Sequence, residues 1–234
     1  VLTGTEIGSY RTGGLDLAGL IERILAGTDI ARLRLSSLQP QEITPGFIRL
    51  WGNGRLCRHF HLSLQSGSDS VLERMKRKYT TTDYKEAVSL IRDTAPEAAI
   101  TTDIIVGFPA ESDEEFEETF NFSQQMEFAR IHVFAFSPRP GTQAAGMPDP
   151  VKSPVKRERS QRMLALARES ARRFARRFLG KHMMVLWEKK SGGTWSGHTD
   201  NYLKVYTESN DDLSNQLRPA RLEEIRGDGV WGNL

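Results

Sequence analysis

A rhythm constrains this 234-residue chain more than any other feature of its sequence. Apolar, β-prone segments return about every thirty residues, the length of one βα unit. They fall at 1–3, 32–36, 59–64, 99–106 and 130–136. Helical spacing fills the gaps. In 15–26, Leu17, Leu20, Ile21, Ile24 and Leu25 recur three and four positions apart, as one face of a helix requires. Short helices are predicted over 45–51 and 71–76, and a longer one over 83–94. After 99–106 a helix opens at Ser112 with Glu115 three positions on, a capping box, and acids crowd its first turn where the helix dipole favours them. Five strands alternating with helices predict an α/β fold on a parallel sheet with right-handed crossovers, open or closed as a barrel. No strand is followed by GxGxxG or by GxxxxGK and a hydroxyl residue, so Rossmann and P-loop nucleotide sites are unsupported.

A loop rich in Pro and Gly, 137–150, ends the rhythm and sets the domain limits: a barrel unit over 1–150, a linking helix over 151–180 and a small domain over 181–234. The helix, predicted over 154–179, carries an apolar stripe of Met163, Leu166, Ala167, Phe174 and Phe178. The rest of its surface is basic, including Arg159, Arg162, Arg168, Arg172, Arg173 and Arg176. From 181 on, short alternating strands separated by Gly, Asn and Asp turns predict a compact β-barrel or sandwich.

Composition narrows the class. At 38% hydrophobic and 26% charged residues the chain can build a core, and no run approaches the ~18 apolar residues of a membrane span. The opening VLTGTEIGSY lacks a basic n-region and a long apolar stretch, so it is not a signal peptide. A single cysteine, Cys57, excludes a disulfide framework and favours a cytoplasmic origin; it also cannot hold an iron–sulfur cluster alone. Starting at Val inside a strand-like segment, the chain reads as cut.

In βα barrels chemistry sits at the C-terminal ends of the strands. Here those ends carry Thr3 and Gly4; Ser36 and Ser37; Gln65, Ser66 and Gly67; Asp103 and Gly107; and Arg139 between two prolines. Such sets converge on one mouth, which favours a ligand site. Each also has a plainer reading. Gln65 to Ser68 can be a strand-to-helix turn with Ser68 as cap. Asp103, in an apolar strand, is either a paired structural anchor or a ligand contact. His59 and His61 share a face and suit barrel lining better than a metal pair. Cys57 reads as a small buried hydrophobe, and His132 has no evident partner. In the small domain Lys189, Lys190, Trp195, His198 and Tyr202 interleave charge and rings behind the basic helix. That is the mixture RNA binding needs: cations for phosphates and rings for bases. Together with Arg172, Arg173 and Arg176 they form the candidate RNA surface, although core packing is the ordinary fate of such rings.

The segments RLRLSSLQPQEI (32–43), HLSLQSGSDSVLERMKRKYT (61–80), TTDIIVGFPAESDEEFEET (101–119) and FSPRPGTQAAGMPD (136–149) resemble, in order, the methylthiotransferases of the radical S-adenosylmethionine (SAM) superfamily. The stretch GHTDNYLKV (197–205) resembles their closing TRAM domain. The resemblance implies a partial TIM-like radical SAM barrel, a basic helix and a small OB-like TRAM domain that binds tRNA. It implies SAM as cofactor, with Thr3, Gly4, Gln65, Ser66, Gly67, Asp103, Gly107 and Arg139 at its site. The branch most resembled adds a methylthio group to C-2 of threonylcarbamoyladenosine in the tRNA anticodon loop. The isopentenyladenosine branch and a cluster-less, inactive tRNA-binding fragment are the alternatives. The family's two four-iron four-sulfur clusters, its CxxxCxxC loop and its N-terminal methylthiotransferase domain have no counterpart here, so the chain is expected to be inactive alone. Ala110 also departs from the family's GFPGE, which has Gly at that position.

Overall fold

The computed structural model describes residues 1–148 and 150–234. A hairpin of β1 (Arg11–Thr12) and β2 (Leu15–Asp16) leads into α1 (Leu17–Gly27), where the Asp16 side chain accepts the Gly19 amide at 2.9 Å. Leu17, Ile21 and Leu25 form its buried face, on the predicted helical spacing. Four strands, β3 (Ser37–Leu38), β4 (His59–Leu62), β5 (Ala99–Val106) and β6 (Arg130–Ala135), make an open parallel sheet in sequence order. Single bridges, Leu2 to Leu35 and Leu33 to Leu56, extend it at the β3 edge. The strand predicted over 32–36 is thus broken into isolated bridges. Its backbone changes neighbours, Leu33 pairing beside Leu56 and Leu35 beside Leu2, before it joins β4 at Ser37 and Leu38.

Helices α2 (Pro45–Ile48), α3 (Asp69–Arg74), α4 (Thr81–Thr94) and α5 (Asp113–Gln125) follow the strands. Phe60, Leu62, Ile100, Ile104 and Val106 share one buried cluster with Tyr84, Val88 and Ile91 of α4 and Phe116 of α5. The Tyr84 hydroxyl donates to the Leu62 carbonyl at 2.7 Å, which anchors α4 to the sheet. The capping box at Ser112 and Glu115 forms as predicted. The alternate residues His59, His61, Thr101, Asp103 and His132 line the opposite, concave face.

The basic helix is α6 (Ser153–Arg176). It is not a free linker: Met163, Leu166 and Ala167 belong to the same core as the sheet. Lys156 Nζ donates to the Phe136 carbonyl just past β6, and past the helix's other end Arg177 donates to the Pro96 carbonyl before β5. At about 1.5 Å per residue the helix runs roughly 36 Å, antiparallel to the strands, from the mouth to the base of the sheet.

The C-terminal strands β7 (His182–Ser191), β8 (Thr194–Thr199), β9 (Lys204–Glu208), β10 (Leu217–Arg226) and β11 (Gly229–Asn233) close into a five-stranded barrel in the order β10-β11-β9-β8-β7. All pairs are antiparallel except β11 with β9. A Cβ at Gly197 would lie 2.2 Å from the Leu186 carbonyl oxygen, so only glycine permits the close approach of β8 to β7. The barrel docks at the N-terminal ends of the parallel strands, opposite the mouth. Arg32 donates to the Met184 and His198 carbonyls, Arg58 bridges Glu97 (2.7 Å) and Asp200 (2.6 Å), and Lys181 meets Glu97 at 2.6 Å. Among the described residues no helix is long and apolar enough to cross a membrane.

Candidate functional site

The strand ends converge, but not every residue expected there is free to meet a ligand. Gln65 is held to β5 on both sides: its amide donates to Asp103 and its carbonyl accepts from Ile105. That bracing keeps Gln65 at φ 69°, in the left-handed region where non-glycine residues are uncommon. Ser66 is fully buried, and its hydroxyl is spent on Thr119 of α5 at 2.9 Å. The Gly67 amide also donates to Thr119, and a Cβ there would sit 2.9 Å from the Thr119 Cα. Ser66 and Gly67 therefore fasten the turn to α5. Thr3, Gly4 and Arg139 are exposed.

Gly107 has φ 72°, and its amide donates to Glu111 at 2.7 Å. Glu111 in turn meets Arg159 of α6 at 2.5 Å, with side-chain exposures of 0% and 5%. A second Arg159 nitrogen reaches the exposed Asp113. The turn after β5 is thus clamped to the start of α6 by a buried ion pair, and Gly107 serves that clamp. Ala110 within the turn has φ 59°, which explains why glycine suits the position. Ala110→Gly is expected to stabilise the protein by about 1 kcal/mol, read as a higher urea midpoint at unchanged m-value; an unchanged midpoint would count against the strain.

Asp103 lies in a directional network on the concave face. His61 places Nε2 3.2 Å from Asp103 and Nδ1 3.0 Å from the Thr101 hydroxyl, which lies 3.3 Å from His59 Nε2. His59 Nδ1 is buried without a partner. An orphaned buried N–H is rarer than an unused acceptor, so the network assigns the proton to Nε2. His59 then donates to Thr101, Thr101 to His61 and His61 to Asp103. Burial, reinforced by Arg34, pushes His59 down to about 3, so it stays neutral. Burial also lowers His132. Its ring centroid is 5.9 Å from that of His61, and His61, Asp103 and His132 bring donor atoms within 4.8 Å of one another. That trio could hold a divalent cation only by displacing the His61 proton shared with Asp103. His132 has no partner evident in its own segment; the signal that places it is the alternation of Arg130, His132 and Phe134 along β6.

The expected RNA surface is redistributed. Trp195 is 4% exposed and lies in the barrel core, so its faces cannot stack on bases. His198 is held by Glu188 at 2.9 Å and stacks on Tyr202 at 4.5 Å. Tyr202 also lies beneath Arg34, 4.2 Å from its ring centroid. These rings seal the junction between the barrel and the base of the sheet. Lys189 is exposed, whereas Lys190 caps the Ser209 carbonyl. On α6, Arg173 is paired with Glu127 and Glu169, while Arg172 and Arg176 have no partner among the described residues.

Comparison with known proteins fits an open parallel sheet with polar strand ends. The family described as the radical SAM superfamily matches residues 1–123, just over half of the chain. The chain belongs to the radical SAM superfamily. The matched region runs from Val1 into α5, and so contains Gln65, Asp103 and Gly107 but not Arg139. A threonylcarbamoyladenosine tRNA methylthiotransferase, MtaB, of Treponema pallidum (strain Nichols) is 41% identical over 88% of this chain and 42% of its own length. A tRNA-2-methylthio-N(6)-dimethylallyladenosine synthase of Geobacillus thermodenitrificans (strain NG80-2) is 37% identical over 99% of this chain and 44% of its own. The chain therefore spans less than half the length of these relatives. Among solved structures, the radical SAM enzyme coproporphyrinogen III oxidase (HemN) of Escherichia coli shares the fold, with a TM-score of 0.55 and 14% identity over 77% of this chain and 50% of that one.

Proposed function

We propose that this chain is the SAM-barrel and RNA-binding portion of a tRNA methylthiotransferase acting on threonylcarbamoyladenosine beside the anticodon, with α6 and a TRAM-type barrel gripping the tRNA. The observation that carries the reading is the 41% identity, over 88% of the chain, to a protein of that name. The relative named for the dimethylallyl base is 37% identical, which makes that base the second reading.

The mouth suits a zwitterionic ligand such as SAM. Asp103 uses only Oδ2 on His61, so Oδ1 is without a partner among the described residues, and the Arg139 guanidinium is exposed at the rim. When bound, SAM supplies a transferable methyl group and a cleavable sulfonium bond. The chain's own part is to bind and orient it. The His59–Thr101–His61 relay holds the Asp103 carboxylate in one orientation, and the clamp on the Gly107 turn fixes the strand end beside it.

An iron–sulfur cluster does not fit these residues. Cys57 is one thiol, 7% exposed, and burial pushes it up, away from the thiolate a metal needs. In the proposed enzyme both clusters are held by protein outside these 234 residues, and this chain alone is inactive. The test is to express the chain within the full-length protein its gene encodes, in cells lacking the native activity, and to analyse tRNA nucleosides by mass spectrometry. The expected product is 2-methylthio-threonylcarbamoyladenosine. A methylthio group on the isopentenyl base instead would select the second reading, and no methylthiolated nucleoside would overturn both.

A further inference from the structure

We infer that the cleft between α6, the start of β6 and the C-terminal barrel seats an unpaired nucleotide of the bound RNA, its phosphates on Arg130, Arg168 and Arg172. The inference rests on the RNA reading above and supplies the site which the buried rings cannot. The cleft holds about 350 Å³, within the range of small-ligand sites. Its walls are apolar: Ala171, Ile225 and Leu164, the last 41% exposed and thus a leucine left facing solvent.

The rim is cationic. Elsewhere on α6, Arg159 is neutralised by Glu111 and Asp113, Arg162 by Glu117 and Arg173 by Glu127 and Glu169, while Arg157 and Arg176, unpaired among the described residues, do not line the cleft. Arg168 and Arg172, one helical turn apart at the cleft, have no partner among the described residues, and neither does Arg130 across from them. Lys204, also at the rim, is balanced by Asp228 at 3.0 Å. Three unmatched guanidiniums around an apolar slot supply charge for phosphates and a dry wall for a base, the two needs of single-stranded RNA. An acidic protein segment would use the charges but not the slot.

Position strengthens the case. The cleft opens toward the base of the sheet with Thr101 in its floor, five residues before the end of β5, so at about 3.3 Å per residue the strand end at the mouth lies roughly 17 Å away. One polyanion can reach both, because α6 runs from one to the other. Thr101 lines the cleft floor and also belongs to the relay that orients Asp103. A nucleotide seated there abuts the back of the mouth's hydrogen-bond network.

Fluorescence anisotropy with labelled tRNA and the whole chain, repeated across a salt series, tests this. Arg168→Ala with Arg172→Ala keeps helix propensity high and is expected to weaken binding at least tenfold, with a log–log salt slope shallower by about 1 to 2. Arg162→Ala, an arginine with its own carboxylate, is expected to stay within about twofold. If the double variant binds tRNA like the parent while Lys189→Ala with Lys190→Ala binds weakly, the cleft belongs to another partner and the inference fails, with the RNA reading intact. If the parent chain has no affinity for tRNA even at low salt, both fail.

Discussion

Arg159→Ala is expected to cost about 3–5 kcal/mol and to lower the melting temperature by roughly 10 °C. The size of the effect follows from what the substitution leaves behind. Glu111 is completely buried and has two partners, Arg159 and the Gly107 amide. Without the guanidinium, a carboxylate remains in the interior with one hydrogen bond and no counter-charge. The pH dependence has a definite sign. Burial already holds the Glu111 carboxyl above its usual range, despite the lowering pull of Gly107 and Arg159. A carboxyl raised in the folded state destabilises fully above its folded pKa, and the penalty fades as pH falls from there toward the unfolded value, because the native form binds the proton more readily. Removing Arg159 raises it further, so the deficit against the parent is largest at neutral pH and shrinks toward acid. Glu111→Leu combined with Arg159→Met removes both charges and is expected to recover most of the loss. Urea unfolding of the three proteins at about pH 5.5 and about pH 8 measures this, both above the ordinary carboxylate range, so that only a carboxyl held well above it changes charge between them. A deficit below about 1 kcal/mol at the higher pH, or one that grows toward acid, would sink the clamp argument.

That clamp shows where sequence reasoning stops. The βα rhythm was legible because burial on one face imposes its period on each element separately: Leu17, Ile21 and Leu25 along α1, or Ser112 and Glu115 at the start of α5, need nothing beyond their own neighbourhood. The mouth was legible at the same level, since the order of the strands fixes which ends meet. Arg159 was not. In sequence it is one cation among many on a basic helix, and its burial depends on Glu111, 48 positions earlier, being brought beneath it by a parallel crossover. Ser66 and Gly67 have a second role that the sequence alone does not display. Their polar, flexible character suits a ligand loop, but Thr119 takes up the Ser66 hydroxyl and the Gly67 amide. His132 met His61 only because β4, β5 and β6 present alternate residues to one concave face, a relation between strands that no single segment displays.

The second large effect lies in the C-terminal barrel, where Trp195→Ala is expected to cost about 3–5 kcal/mol by opening a cavity. An RNA-stacking ring would behave in the opposite way. Exposed, it could be truncated with little change in stability, and RNA affinity would fall by about 1–3 kcal/mol for each base it stacked. Along β8 the burial alternates, with Trp195, Gly197 and Thr199 inward and Thr194, Ser196 and His198 outward, so the tryptophan shares its face with the glycine on which β7 closes. Trp187 stands in the same cluster with Val185, Val205 and Leu222. Trp195→Phe separates packing from polarity. It keeps most of the apolar volume and deletes an indole N–H that is buried without a partner, so its cost should stay below about 1.5 kcal/mol. Chemical denaturation followed by the remaining tryptophans, in parallel with tRNA anisotropy, reads both quantities. Unchanged stability with weakened RNA binding in Trp195→Ala would return the ring to the RNA surface. Lost stability, with Trp195→Phe binding tRNA like the parent, leaves the cations of α6 and its cleft to hold the RNA.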